Sequence, residues 1–269
     1  MNMKMTRIVV AAVAVLGLSG LAWASTAGQR APEHHHWHHA GPFGTFDQNA
    51  LQRGLQIYQE VCASCHSLDL IHFRNLGEPG GPFANEEHPN ANDNPIVMQI
   101  AASYMIEDGP DDAGDMFERP GVSSDAFPSP FANPQQARGS NGGALPPDLS
   151  LIVKARSHGA DYIRSLLLGF DEEVPHDMHL APGQHYNPYF PGGAIAMAPP
   201  LSEGIVTYAD GTEATMEQMS EDIVTFLTWA GDPHMEARKQ LGWMVLMFLF
   251  VFAILVYAAY RQVWANVKH

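Results

Sequence analysis

Cysteine is the scarcest informative residue: Cys62 and Cys65 are the only two among 269 residues. Two cysteines three positions apart build no disulfide framework and are too few for a four-cysteine zinc fold. Charge is thin as well, at 16% of residues against roughly 25% in an ordinary soluble domain. The shortage falls on the cations, since 14 Lys and Arg face 29 Asp and Glu, for a formal net charge of −15. Nucleic-acid binding is thereby excluded, because neutralising phosphates needs clustered Lys and Arg. Runs of β-type alternation are scarce and no internal repeat is visible. What is plentiful is apolar material, 46% of the chain, which suffices for a core.

The two ends set the compartment. Residues 1–24 combine a basic start (Lys4, Arg7), a short Ala- and Val-rich run from Ile8, and the exit Ala22-Trp23-Ala24. That is the pattern of a secretory leader cut after Ala24. Residues 241–260 carry no charge, and a helix of that length spans about 30 Å, the thickness of a bilayer core. Trp243, Tyr257, Tyr260 and Trp264 lie near its ends, as in an aromatic belt. Arg238 and Lys239 before the span balance Arg261 and Lys268 after it, so the leader decides orientation. A bacterial periplasmic body on an inner-membrane tether, with tail 261–269 in the cytoplasm, is expected. The exported body, 25–237, keeps eight of the basic residues against all 29 acids, a net of −21. Acids gather at Glu107, Asp108, Asp111, Asp112, Asp115 and Glu118, and again at Asp171, Glu172 and Glu173. This is either a solvated face or a docking surface that steers a basic partner.

Along the body, residues 25–45 read as a mobile linker carrying His34-His35-His36-Trp37-His38-His39, whose metal affinity stays open. The domain proper is expected over 46–237, with 238–260 as the span and its basic lead-in. Asp47 has the chemistry of an N-cap, and Leu51, Leu55, Tyr58 and Val61 give a helix running into Cys62. Asn94-Pro95 starts another, with Val97, Ile100, Ala101 and Tyr104 inward. Residues 149–156 and 161–170 read as two short helices broken at Gly159. Thr215 and Gln218 spell a capping box for a helix that ends near Gly231-Asp232-Pro233. Between these lie long Gly- and Pro-rich stretches, 105–147 and 174–200. Loops of that length in a compact body need something to pack against, such as a cofactor.

The chemistry lies at Cys62-Ala63-Ser64-Cys65-His66. A Cys-x-x-Cys-His string is the attachment site of a c-type haem: two thiols add across the vinyl groups and the next imidazole reaches the iron. A thioredoxin-like pair would sit near a βαβ pattern, which is missing, and half a zinc site would need two further ligands. For the second axial position the loop Ala196-Met197-Ala198-Pro199-Pro200 favours Met197, because its prolines stop a helix from carrying the thioether away. Met178, Met216, Met219, His158, His176 and His179 are rivals. Met/His ligation raises the potential and suits electron transfer.

The sequence resembles the cytochrome c1 family, the membrane-anchored haem subunits of quinol–cytochrome c reductase (cytochrome bc1) complexes. The resemblance rests on Phe46-Asp47 and the helix into Cys62-Ala63-Ser64-Cys65-His66-Ser67, then Phe73-Arg74. It continues through Asn141-Gly142-Gly143-Ala144-Leu145-Pro146-Pro147-Asp148-Leu149-Ser150, Ala196-Met197-Ala198-Pro199-Pro200-Leu201 and Phe226-Leu227-Trp229-Ala230. It implies a mainly α, class I cytochrome c-like haem domain with long loop insertions, one C-terminal transmembrane helix and one covalently bound haem c. It implies Cys62 and Cys65 as thioethers, His66 and Met197 as axial ligands, and Arg138 on a propionate. Pro146 and Pro147 would line the haem, with a backbone carbonyl there orienting the second nitrogen of His66. The implied role is an electron carrier, not an enzyme by itself. It would sit beside cytochrome b, accept one electron from a Rieske iron–sulfur protein and deliver it to a c-type cytochrome acceptor. Some bacterial members carry an extra cysteine pair near the haem, and this chain has none. A tethered haem enzyme or sensor with an open sixth iron site is the alternative.

Overall fold

The computed structural model describes residues 29–266, so the expected leader over 1–24 lies outside the described residues, as do the last three of the tail. Helix α1 (Gln48–Ile57) starts where expected, with the Asp47 carboxylate accepting from the Asn49 amide at 2.9 Å. Its apolar stripe buries Leu51, Leu55 and Tyr58. The last turn, Tyr58–Cys62, widens to π geometry, with the Ala63 amide donating to the Tyr58 carbonyl at 2.7 Å. Such local bulges are frequent at functional positions.

Helix α2 (Pro95–Ala102) is capped by Asn94 and turns Val97 and Ala101 inward. Strands β1 (Met105–Asp108) and β2 (Phe117–Pro120) pair antiparallel, Met105 opposite Pro120. This hairpin falls in a stretch read as irregular. Both strands lie on the surface with neither face buried, so selection had no reason to write a period-two apolar signal there. Helix α3 (Pro134–Ser140), also unforeseen, begins on the same Asn-Pro signal as α2, with Asn133 accepting from the Gln136 amide at 2.9 Å.

The segment 149–156, expected as a helix, is instead a succession of turns. Leu149, Ile152 and Val153 do point inward at helical spacing, but the Leu149 amide donates to the Ser67 carbonyl and the Ser150 amide to the Asp148 carboxylate. Beyond them the Ile152 amide bonds to the Leu149 carbonyl and the Lys154 amide to the Leu151 carbonyl, three residues back rather than four, so the chain closes turns and no α-helix. Helix α4 (Gly159–Leu168) follows directly, after His158 at φ 66°. A two-residue ribbon, β3 (His185–Tyr186) with β4 (Ala194–Ile195), precedes Met197. Helix α5 (Met216–Gly231) is capped by Thr215, whose hydroxyl accepts from the Gln218 amide at 3.2 Å. Only that half of the expected capping box forms. The Gln218 side chain turns to Asp222 instead, at 3.1 Å.

The core lies where α1 crosses α5, with α4 packed on α5. Tyr58, Phe73, Leu76, Met219, Ile223, Phe226 and Trp229 are all wholly buried there, each such side chain contributing about 1.5–3 kcal/mol. The crossing is set by Gly54: a Cβ on it would meet the Asp222 carbonyl oxygen at 2.2 Å and Phe226 Cβ at 2.6 Å. Gly54→Ala is therefore expected to destabilise the fold by about 1–3 kcal/mol through overpacking. The roughly 1 kcal/mol by which alanine favours a free helix does not decide the sign. Denaturant unfolding in detergent measures it, and an unchanged or raised midpoint would refute the close crossing.

The supposed linker packs on the body. In the extended strap Trp37 and His39 are buried while His34, His36 and His38 face water. The Trp37 indole Nε1 donates to Asp161 Oδ1 at 2.6 Å, which a flexible tether would not sustain. Helix α6 (Met235–Trp264) is apolar and long enough to cross a membrane, and none of its apolar stretch is buried by the protein.

Candidate functional site

The π turn ending α1 delivers Cys62 to the surface of the core, and the chain then reverses. The amides of Cys65 and His66 donate to the Cys62 carbonyl at 3.1 and 2.9 Å. That reversal sets Cys62, Cys65 and His66 on one tight turn. Both cysteines are half-buried, and no disulfide joins them. Burial of the Cys62 sulfur, with Cys65 beside it, pushes its thiol up to about 12, so it is a protonated thiol at neutral pH.

His66 is fixed from behind. Its Nδ1 lies 2.8 Å from the Pro147 carbonyl oxygen. A carbonyl only accepts, so Nδ1 carries the proton and the lone pair sits on Nε2, the form that ligates a metal. Burial lowers the imidazole pKa, opposed by the Pro147 carbonyl, which keeps the ring neutral at physiological pH. The carbonyl contact expected from the Pro146-Pro147 turn is thus present.

The Pro147 carbonyl is itself held by a zipper between residues 66–70 and 147–150. Ser67 Oγ and the Asp69 amide both donate to Asp148 Oδ2 at 2.8 Å. The Leu149 amide donates to the Ser67 carbonyl at 2.9 Å, and the Leu70 amide to Ser150 Oγ at 3.1 Å. Tyr58 Oη donates to the His66 carbonyl at 3.2 Å. Sequence reasoning missed Ser67, Asp148 and Ser150 as positioning residues. Their signal was the run of short polar side chains directly after each motif, which favours side chain-to-backbone bonding. Burial raises the Asp148 carboxyl, but the Asp69 amide and the Ser150 and Ser67 bonds outweigh it, and the group is held below its usual 3.8. A depressed carboxyl stabilises the fold above its unfolded pKa and loses that contribution as pH falls through the folded value. Asp148→Ala is expected to cost about 1.5–3 kcal/mol at neutral pH, the worth of hydrogen bonds to a charged group, with the loss shrinking on acidification. Unfolding curves at both pH values test it, and a pH-independent loss would show that the charge is not what matters.

The other expected residues are dispersed. Arg138, exposed in the last turn of α3, donates from Nη1 to the Gly143 carbonyl at 3.0 Å. Pro146 is half-buried, Pro147 and Leu145 are exposed, and the motif's Val61 and Ala63 are half-exposed. Met197 is half-buried after β4. Its loop is shaped by Gly192 and Gly193 at φ 79° and 75°. Fully buried Asn187 ties it to α4, donating to the Leu166 carbonyl at 2.7 Å and accepting the Tyr189 amide at 3.1 Å. Among the rivals, Met219 is inside the core and Met216 packs against it. Met178 abuts Gly193, and His158, His176 and His179 are exposed. Among the described residues no three His, Cys, Asp or Glu side chains converge as a metal cage. The acidic runs are partly neutralised: Arg119 pairs with Asp108 and Asp125, and Arg30 with Glu172.

Two thiols and a neutral imidazole with its free lone pair outward, on a turn rimmed by half-exposed apolar residues, suit a porphyrin iron. The fold and site define a mainly helical haem-protein domain with one apolar helix that fits a membrane anchor. Residues 37–267 match the model of the Cytochrome C1 family, and the chain belongs to that family of haem electron-transport proteins. It is 51% identical over 257 residues to the cytochrome b/c1 of Bradyrhizobium diazoefficiens, covering 89% of this chain but only 36% of that protein. With cytochrome c1 of Rhodospirillum rubrum it is 41% identical over 278 residues, 98% of each chain. With the mitochondrial cytochrome c1 haem protein of Saccharomyces cerevisiae it is 47% identical over 232 residues, 86% of this chain and 72% of the other.

Proposed function

We propose that this chain is the haem c electron relay of a quinol–cytochrome c reductase complex. It would take one electron from a Rieske iron–sulfur protein, beside cytochrome b, and pass it to a c-type cytochrome. The observation that carries the reading is the His66 Nδ1–Pro147 bond on the turn that also presents Cys62 and Cys65. When bound, a haem supplies a one-electron ferric/ferrous couple at that turn. Cys62 and Cys65 would hold it covalently through their sulfurs, so that its retention would not depend on affinity. His66 would offer its unprotonated Nε2 to the iron, with its tautomer fixed by the Pro147 carbonyl. Met197 would offer its thioether to the iron from a loop stiffened by Pro199 and Pro200. Arg138 would pair with a propionate, and Pro146 and Pro147 would line the group.

No residue of the chain is assigned bond-making chemistry, and oxidation of quinol belongs to another subunit. Residues 25–237 are placed in the periplasm after removal of 1–24, with 238–260 as lead-in and span and 261–269 in the cytoplasm. The exposed acids at Glu107, Asp111, Asp112, Asp115 and Glu118 on the β1–β2 hairpin support docking of a basic acceptor.

Absorption spectra of the detergent-solubilised protein, ferric and ferrous, with and without carbon monoxide, test the reading. A low-spin ferric spectrum with the near-infrared Met-to-iron band and no carbon monoxide response is expected. A high-spin spectrum that shifts with carbon monoxide would replace the relay by a ligand-binding or catalytic haem protein with an open sixth site.

A further inference from the structure

The strap that precedes α1 makes a tight turn over residues 41–45, and that turn is fastened to the first turns of α6 at several points. Lys239 Nζ donates to the carbonyls of His39 and Gly44 at 2.7 and 2.8 Å. The Phe46 amide donates to Glu236 Oε1 at 2.7 Å. The Phe43 ring stacks on Trp243, with centroids 4.9 Å apart and planes 4° from parallel. Glu236, Lys239 and Trp243 recur at spacings of three and four, so one face of α6 receives the whole turn.

The turn is built to hold this shape. Gly41 sits at φ 73°, and a Cβ on Gly44 would meet the Ala40 carbonyl oxygen at 2.1 Å, which only glycine avoids. Its tip presents Phe43, 75% exposed even with one face on Trp243, the most exposed of the large apolar side chains among the described residues. Phe43 is not an isolated surface residue, because with the partly exposed Trp243 it continues the bare apolar surface of α6 onto the body. Trp243 lies at the mouth of the uncharged run 241–260, the depth at which tryptophan marks a membrane–water boundary. Phe43 is stacked flat on it and shares that depth, where the uncharged run opens with Leu241, 58% exposed.

We propose that the turn at 41–45 is a second membrane contact, with Phe43 inserted among the headgroups and upper acyl chains of the leaflet nearest the body. The inference rests on reading α6 as a span, and it adds a consequence. One helix alone leaves a body free to tilt and swivel about its tether. A second foot on one face of that helix fixes tilt and rotation. The Cys62–His66 turn is then carried at a set orientation over the bilayer.

The test uses the full chain in phosphatidylcholine vesicles, with an environment-sensitive fluorophore on Phe43→Cys. Ser129→Cys, on the exposed surface of the body, and Phe250→Cys, inside the apolar run, are labelled in parallel. The unsubstituted chain, treated identically, gives the background from Cys62 and Cys65. Thr45→Cys leaves the Phe43–Trp243 stack intact and carries the same expectation. Labels at 43 and 45 are expected to emit to the blue of the label at 129 and to be quenched by iodide at least about two-fold less. The label at 250 is expected to be fully protected. Quenching at 43 and 45 equal to that at 129, with 250 protected, overturns the foot and leaves the span. Quenching at 250 as well overturns the span, and the foot with it.

Discussion

Met197→Leu is expected to leave the haem attached and to lower the reduction potential by on the order of 0.1–0.3 V, a fraction of the roughly 0.8 V that axial ligands span. A thioether donates weakly and favours ferrous iron, so its loss removes a term that raises the potential. Leucine fills nearly the same volume, and such swaps usually cost under about 1.5 kcal/mol, so the loop itself should persist. Its anchors lie elsewhere: Asn187 holds the preceding turn to α4, and Gly192 and Gly193 set the reversal before β4. The near-infrared ferric band should disappear, and carbon monoxide should bind the reduced variant but not the parent. Potentiometric titration is the decisive reading. An unchanged potential would remove Met197 from the iron and direct attention to Met178, whose thioether lies against Gly193 in the same loop region. Loss of haem altogether would mean that Met197 is needed to hold the loop closed during attachment, a larger role than the one proposed.

The parts of this molecule that the sequence displays are those whose physics is local. Asp47, Leu51, Leu55 and Tyr58 announce α1 because a cap and a 3.6-residue stripe are read within one segment. Asn94-Pro95 and Thr215 do the same for α2 and α5. The Cys62–His66 turn is equally visible, since the haem attachment proposed for it would require that fixed spacing. What lies 81 residues away is not. The Pro147 carbonyl that fixes His66 leaves no trace in composition or periodicity, and only resemblance to a family pointed toward it. The turns over 149–156 are hidden as well: the apolar spacing of Leu149, Ile152 and Val153 is helical, while the Ile152 and Lys154 amides bond three residues back and close turns instead. The strap was misread because Trp37 finds its partner, Asp161, 124 residues on. Gly54 is an isolated glycine in a helix, and its reason, the carbonyl of Asp222, exists only in the folded crossing.

That crossing also holds the largest stability effect to be expected. Arg53 on α1 meets Asp222 on α5 with both ends of its fork, Nε to Oδ2 and Nη2 to Oδ1, each at 2.9 Å. Its third nitrogen reaches Asp210 Oδ2 at 2.8 Å, and the guanidinium carbon lies 5.7 Å from the centre of the Tyr208 ring. The Asp222 side chain is fully buried. Its carboxyl is raised by burial, and Arg53 is the main group pulling it back. Arg53→Ala should therefore cost about 3–5 kcal/mol, because a buried charge is left uncompensated. Arg53→Lys should recover only part, since an ammonium is a point charge and cannot serve two oxygens of Asp222 and one of Asp210 in plane. The pH dependence separates this from simple loss of packing. An acid raised in the folded state binds its proton more readily folded than unfolded. The penalty is therefore present above the folded pKa and relieved as pH falls through it. Removing Arg53 raises that pKa further, so the deficit of Arg53→Ala against the parent should narrow between neutral pH and about pH 5. Urea unfolding in detergent at the two pH values measures it. A deficit that stays constant would mean that Arg53→Ala causes no change in proton uptake over that range, and would refute relief of a buried charge as its source.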